Sequence, residues 1–128
     1  MALTMKQTIL FTDEDGRARF RERLESLEGG SPAVRLSDLY SSGGFQFRES
    51  PVGYESAFHC TEQPQWIVVL KGCMEIVLQD GSTRQFKQGE YFFCADVLPA
   101  ASIFDPTIHG HRSRQCGEEV LQTMFIRA

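Results

Sequence analysis

Residues 53–72 read Gly53-Tyr-Glu-Ser-Ala-Phe-His59-Cys-Thr61-Glu-Gln-Pro-Gln65-Trp-Ile-Val-Val-Leu-Lys-Gly72. Successive side chains of an extended segment point to opposite faces, so His59 and Thr61 share one face and Cys60 the other. Gln65 and Ile67 share a face of the next segment in the same way. Lys71-Gly72 is a turn signal between two apolar runs, 65–70 and 73–78, which read as adjacent strands. The stretch thus places an imidazole, a hydroxyl and an amide on short β segments, and the chemistry turns on how these three groups combine.

The same rhythm continues along the chain. Turn signals recur at Asp15-Gly16, Gly29-Gly30-Ser31-Pro32, Ser42-Gly43-Gly44, Ser50-Pro51, Asp80-Gly81, Gln88-Gly89 and Cys116-Gly117. Between them lie short segments rich in Phe, Val, Ile and Tyr, the pattern of an all-β sandwich or barrel. Thr83–Lys87 alternates as a strand. Tyr91–Ala95 is apolar on both faces and belongs in a covered, central position. Val120–Ile126 reads as a closing strand. Near the N-terminus, Thr8–Thr12 reads as a strand, and residues 17–24 as its hairpin partner through Asp13–Gly16, with Ala18, Phe20 and Leu24 inward. A charged helix over 17–28 is the competing reading, because Phe20, Leu24 and Leu27 also recur at helical spacing. Val34–Tyr40 allows a short helical turn, and residues 97–108 form the longest irregular connection.

At 128 residues the chain is one domain with room for a core. A net charge of −4 argues against a nucleic-acid partner. The arginines at 17, 19, 21 and 23 are interleaved with or followed by Glu22, Glu25 and Glu28, which makes a solvated face. No apolar run reaches the ~20 residues that span a bilayer, and no signal core opens the chain, so a cytoplasmic location is expected. Cys60, Cys73, Cys94 and Cys116 lie 13, 21 and 22 residues apart. Those spacings fit no common zinc template, and free buried thiols are the expectation.

Further residues carry chemistry. His109, His111 and Ser113 share one face of the run His109–Arg114, and Arg112 and Arg114 the other. If this run faces residues 59–65 across a barrel, His59, Gln65 and His111 converge on one cavity. Asp96 is a candidate general base, a support for a histidine or a turn cap. Arg48, Arg112 and Arg114 offer carboxylate recognition or surface pairing. Phe45, Phe47, Trp66, Phe93 and Tyr54 read as core or interface aromatics, with Tyr54 also a ligand-contact candidate. Cys60 and Cys94 read as small core residues rather than nucleophiles.

The spacing Gly53–His59–Thr61–Gln65–Gly72 resembles the first motif of the cupin superfamily, with Thr61 where that motif has a second His and Gln65 where it has Glu. Phe45-Gln-Phe-Arg48, Pro51-x-Gly53-Tyr54, Asp80-Gly81, Arg84-x-Phe86, Gly89, Ala95-Asp96 and Gly110–Arg114 extend the likeness to a group of small single-domain bacterial cupins. The second motif is degraded: Ala95 stands for the usual Pro, Val97 for the usual Gly, and an insertion over 98–108 displaces the histidine position. The resemblance implies a double-stranded β-helix (jelly-roll) barrel over 45–128, with residues 1–44 as an N-terminal hairpin extension and loop, commonly a homodimer. It also implies a divalent metal (Zn, Fe, Ni or Mn) on His59, His111, Gln65 and His109. In that case Asp96 and His111 would be the catalytic pair, and Thr61, Gln65 and Tyr54 would contact a small polar metabolite in dioxygenase, isomerase or lyase chemistry. Because Thr61 and Gln65 forfeit the anionic ligand, a metal-free binding module for a small ligand is the alternative. The 98–108 insertion is either a flap at the cavity mouth or an ornament.

Overall fold

The computed structural model describes residues 3–128. The chain is all-β: β1 Thr4–Thr12, β2 Ala18–Ser26, β3 Gly29–Gly30, β4 Arg35–Leu36, β5 Phe45–Ser50, β6 Gln65–Lys71, β7 Cys73–Val77, β8 Thr83–Lys87, β9 Tyr91–Ala95, β10 Arg112–Cys116 and β11 Leu121–Arg127. One sheet runs β2-β1-β9-β6-β11-β5 and the other β10-β7-β8. The smaller sheet gains a fourth member from residues 55–61, which lie along β10 through the bridges Glu55–Arg114 and His59–His111. Counted in chain order from β5, the barrel segments fall as first-eighth-third-sixth in one sheet and second-seventh-fourth-fifth in the other. That interleaving is the jelly roll, two Greek keys closed face to face.

Alternation explains the core. In β11 Leu121, Thr123 and Phe125 are buried, and in β9 Phe92 and Cys94, while their neighbours are half-buried. Ile67 and Val69 from β6 meet Met74 and Ile76 from β7 and Phe86 from β8. Phe86 stacks on Phe92 across the barrel at a centroid distance of 4.3 Å. The strand pattern is steep at β7, where Met74, Glu75 and Ile76 are all buried; Glu75 is held by Arg114 (2.6 Å) and Gln85 (3.0 Å).

The N-terminal hairpin forms as the alternation of 17–24 predicts, with Leu10 opposite Phe20. Ala18 is buried and Phe20 packs on the core, but Leu24 is 68% exposed, opposite Lys6 on a stretch where exposed Lys6 pairs with Glu22. Residues 34–40 form no helical turn; Arg35–Leu36 pair with Gly29–Gly30 instead. Two of the cysteines are not free thiols. The register of β7 on β10 places Cys73 directly opposite Cys116, and the two form a disulfide with Cα atoms 5.2 Å apart. Cys60 and Cys94 are free, and Cys94 is buried.

Candidate functional site

The barrel interior keeps a cavity of about 340 Å³ toward the end where β6 begins and β11 ends. Its apolar floor comes from Ile67, Met74, Ile76 and Phe125, and its polar wall from His59, Thr61, Gln65, His111 and Ser113. This is the expected convergence of residues 59–65 on the His111 run. His111 and Ser113 share the inward face, as the alternation requires, and both are buried.

His111 is the most constrained of these groups. Its Nδ1 lies 2.7 Å from Oδ2 of Asp96, which has no exposed surface. The other oxygen of Asp96 accepts a hydrogen bond from the Thr12 hydroxyl at 2.7 Å. A carboxylate has only acceptors to offer, so Nδ1 of His111 carries a proton, and in the neutral imidazole the lone pair is on Nε2. Asp96 thus supports the histidine, one of the roles its position allowed.

His59 sits beside it, with the two ring centroids 4.7 Å apart. The segments carrying them are joined by a reciprocal pair of backbone hydrogen bonds, His59 N to His111 O at 2.9 Å and His111 N to His59 O at 3.0 Å. Nδ1 of His59 is 2.8 Å from the Ala57 carbonyl, so it too donates at Nδ1. Burial lowers the pKa of His59, the Ala57 carbonyl opposes that shift, and the neighbouring His111 adds to it.

Thr61 and Gln65 are neighbours as well. The Gln65 amide donates to the Thr61 hydroxyl at 3.1 Å, and that hydroxyl donates to the Gln63 carbonyl at 2.9 Å. Tyr54, Arg48 and Arg127 also line the cavity. Arg112 and Arg114 instead pair with Glu55 and Glu75. His109 is not brought to the cavity. It sits in the turn that closes the 97–108 connection, where its Nδ1 accepts the Asp105 backbone N–H at 2.9 Å and its ring lies against Gly16. Strand alternation fails to place it because the strand begins only after His111.

Two contributors have no local signal in the sequence. Thr12 reaches Asp96 across 84 residues, and only the parallel pairing of β1 on β9 brings them together. Arg127 falls one residue beyond the expected closing strand, although it continues the inward series Thr123, Phe125.

The donor set fits a resident divalent metal poorly. Two imidazoles and the amide oxygen of Gln65 are available to the cavity, but that oxygen is a neutral donor, Asp96 is committed to His111 and Thr12, and the Thr61 hydroxyl is taken up by Gln65 and the Gln63 carbonyl. Burial raises the Cys60 thiol to about 11 and the Cys94 thiol to about 12, so neither is a thiolate near neutrality in the absence of a cation. Among the described residues no group of three or more His, Cys, Asp or Glu stands together for a cation. Structural and catalytic zinc sites need three or four such ligands, and hard cations need carboxylates.

No family model matches the sequence, and no curated protein matches it either. Among solved structures, the Schizosaccharomyces pombe Cnp3 cupin domain is similar, with a TM-score of 0.49 and 15% sequence identity over 100% of this chain and 85% of that one. The interleaved order of the two sheets gives this chain the cupin-type jelly-roll fold.

Proposed function

We propose that the barrel cavity binds a small polar ligand without a resident metal, using His111 as its central acceptor. The observation that carries this reading is the buried Asp96–His111 pair. It fixes one tautomer and leaves the Nε2 lone pair of His111 free to accept a hydrogen bond from a ligand. Where the ligand presents a labile proton, the same nitrogen takes it, and the Asp96 carboxylate stabilises the imidazolium that results. His59 and Gln65 orient the ligand from the facing segment. A volume of about 340 Å³ lies at the small end of ligand pockets, which suits a metabolite rather than a polymer.

A thermal-shift screen of small polar metabolites, run with the neutral chelator 1,10-phenanthroline, tests this. Ligand-dependent stabilisation that persists under chelation and disappears in His111→Gln is the expected result. Stabilisation by Zn, Fe, Ni or Mn alone, lost in His59→Ala, with no metabolite effect under chelation, would establish the metal-dependent alternative instead.

A further inference from the structure

Arg48 and Arg127 line the same cavity as the two histidines, and neither has a carboxylate partner among the described residues. Arg19, Arg23, Arg84, Arg112 and Arg114, by contrast, all pair with Asp or Glu. Arg17, Arg21 and Arg35 are also without a carboxylate partner among the described residues, and what sets Arg48 and Arg127 apart from them is that they line the cavity. Both side chains come from adjacent strands and from the inward face. Arg48 stands opposite Thr123 on β11, and Arg127 follows Thr123 and Phe125 on the same face while pairing in register with Gln65. A second hollow of about 230 Å³, lined by Arg48, Gln65, Phe125 and Arg127, continues the cavity outward between them.

Arg48 is also held in place. Its guanidinium carbon lies 3.8 Å from the centroid of the Phe125 ring. Stacking occupies the face of a guanidinium and leaves its in-plane N–H edge free to donate, the edge that matches a carboxylate bidentately. A long cationic side chain fixed by an aromatic loses less freedom when it binds an anion. Its positive charge already reaches His59, where it contributes to the lowered pKa.

We infer that the ligand is a small hydroxy acid: its carboxylate sits between Arg48 and Arg127 at the cavity mouth, and its hydroxyl donates to Nε2 of His111 at the inner end. This inference rests on the proposed metal-free pocket and adds the ligand's charge and polarity. The two ends of the cavity ask for opposite chemistry, an anionic acceptor group at the arginines and a hydrogen-bond donor at the histidine, and a short hydroxy acid supplies both. Glu62, at the rim, disfavours a second negative charge on that side.

The test is a titration of the full chain, in 1,10-phenanthroline, with lactate, L-malate, lactamide and inorganic phosphate, followed by two-dimensional NMR. Lactate should perturb the His59 and His111 ring signals together with the guanidinium signals, malate should do so more weakly because of its second carboxylate, and lactamide should bind far more weakly than lactate. Arg48→Gln and Arg127→Gln should each weaken the hydroxy acid by about tenfold to a hundredfold. Arg35→Gln, on exposed β4, should leave it unchanged. Lactamide binding as well as lactate, with both arginine variants silent, overturns the carboxylate assignment and leaves the metal-free pocket standing. Phosphate binding through the same arginines in preference to both acids reassigns the subsite to phosphate esters and overturns the proposal. Binding of the acids only after divalent metal is restored overturns the metal-free reading beneath it. No binding of either acid at millimolar concentration overturns the proposal directly.

Discussion

Asp96 accepts from two donors while fully buried, so its removal strands both Nδ1–H of His111 and part of the bonding of Thr12. Thr12 retains the Val97 carbonyl at 3.0 Å, but the histidine has no second acceptor for Nδ1 among the described residues. Asp96→Ala should cost about 2–3 kcal/mol, read as a lower urea midpoint with unchanged m-value, and should also abolish ligand stabilisation. An Asp96→Ala protein of undiminished stability would refute this account of the pair. His59 makes a separate prediction. Burial holds its folded pKa below the ordinary 6.5, partly opposed by the Ala57 carbonyl and by Asp96 and reinforced by His111 and Arg48. The unfolded chain therefore takes up this proton first as pH falls. The contribution of His59 is complete above pH 6.5 and is lost as pH drops through the lowered folded value. Melting temperatures measured between about pH 7.5 and pH 5 should fall more steeply for the native chain than for His59→Gln; parallel slopes would contradict the assignment. Both residues were legible as site candidates from spacing and alternation. Their chemical division of labour was not, because it depends on which nitrogen meets which acceptor, and Thr12 reaches Asp96 from 84 residues away.

At the scale of elements, the site depends on a close approach between two segments rather than on any one strand. Gly110 has φ of 85°, and a Cβ there would sit 2.6 Å from the His59 carbonyl oxygen and 2.7 Å from its carbon. Only glycine allows the segment before β10 to lie against residues 57–61 and make the reciprocal His59–His111 backbone bonds. Gly110→Ala should therefore destabilise by roughly 2 kcal/mol or more and separate the two imidazoles. Loss of ligand response in a variant that still melts cooperatively is the outcome to look for; unchanged stability and binding would show that the approach is not required. Gly72 has the same character at the other end, where a Cβ would meet the Val120 carbonyl at 2.6 Å. Gly72 was legible from the motif spacing because it marks a tight turn between sequential strands. The Cys73–Cys116 disulfide was not, since it follows from the register of β7 on β10, strands separated by 43 residues at the bridging positions. Spacing arguments along the chain do not reach such a register, and His109 was misplaced for a related reason, the strand starting three residues later than the alternation assumed.

For the molecule as a whole, the rhythm of turns and apolar segments was enough to read an all-β barrel, because each hairpin is a local event. The role of the N-terminal hairpin was less visible, since β1 joins the barrel by a parallel pairing with β9 that no local signal announces. Its packing is nevertheless central. Leu10 has no exposed surface and Ala18 is buried in the same cluster as Phe92 and Ile67. β1 also covers what would otherwise be an open edge of β9, and through Thr12 it anchors the carboxylate that orients His111. Removing residues 3–26 would therefore expose an edge strand, open the core beside Phe92 and loosen the Asp96–His111 pair in one step. A chain beginning at residue 27 should lose the cooperative urea transition of the full chain and expose apolar surface that binds the dye ANS. If it instead unfolded with the same midpoint and still answered the hydroxy-acid titration, the hairpin would be an appendage to the barrel. The buried Leu10 and the Thr12–Asp96 bond argue that it is part of the barrel's wall and of the site's support.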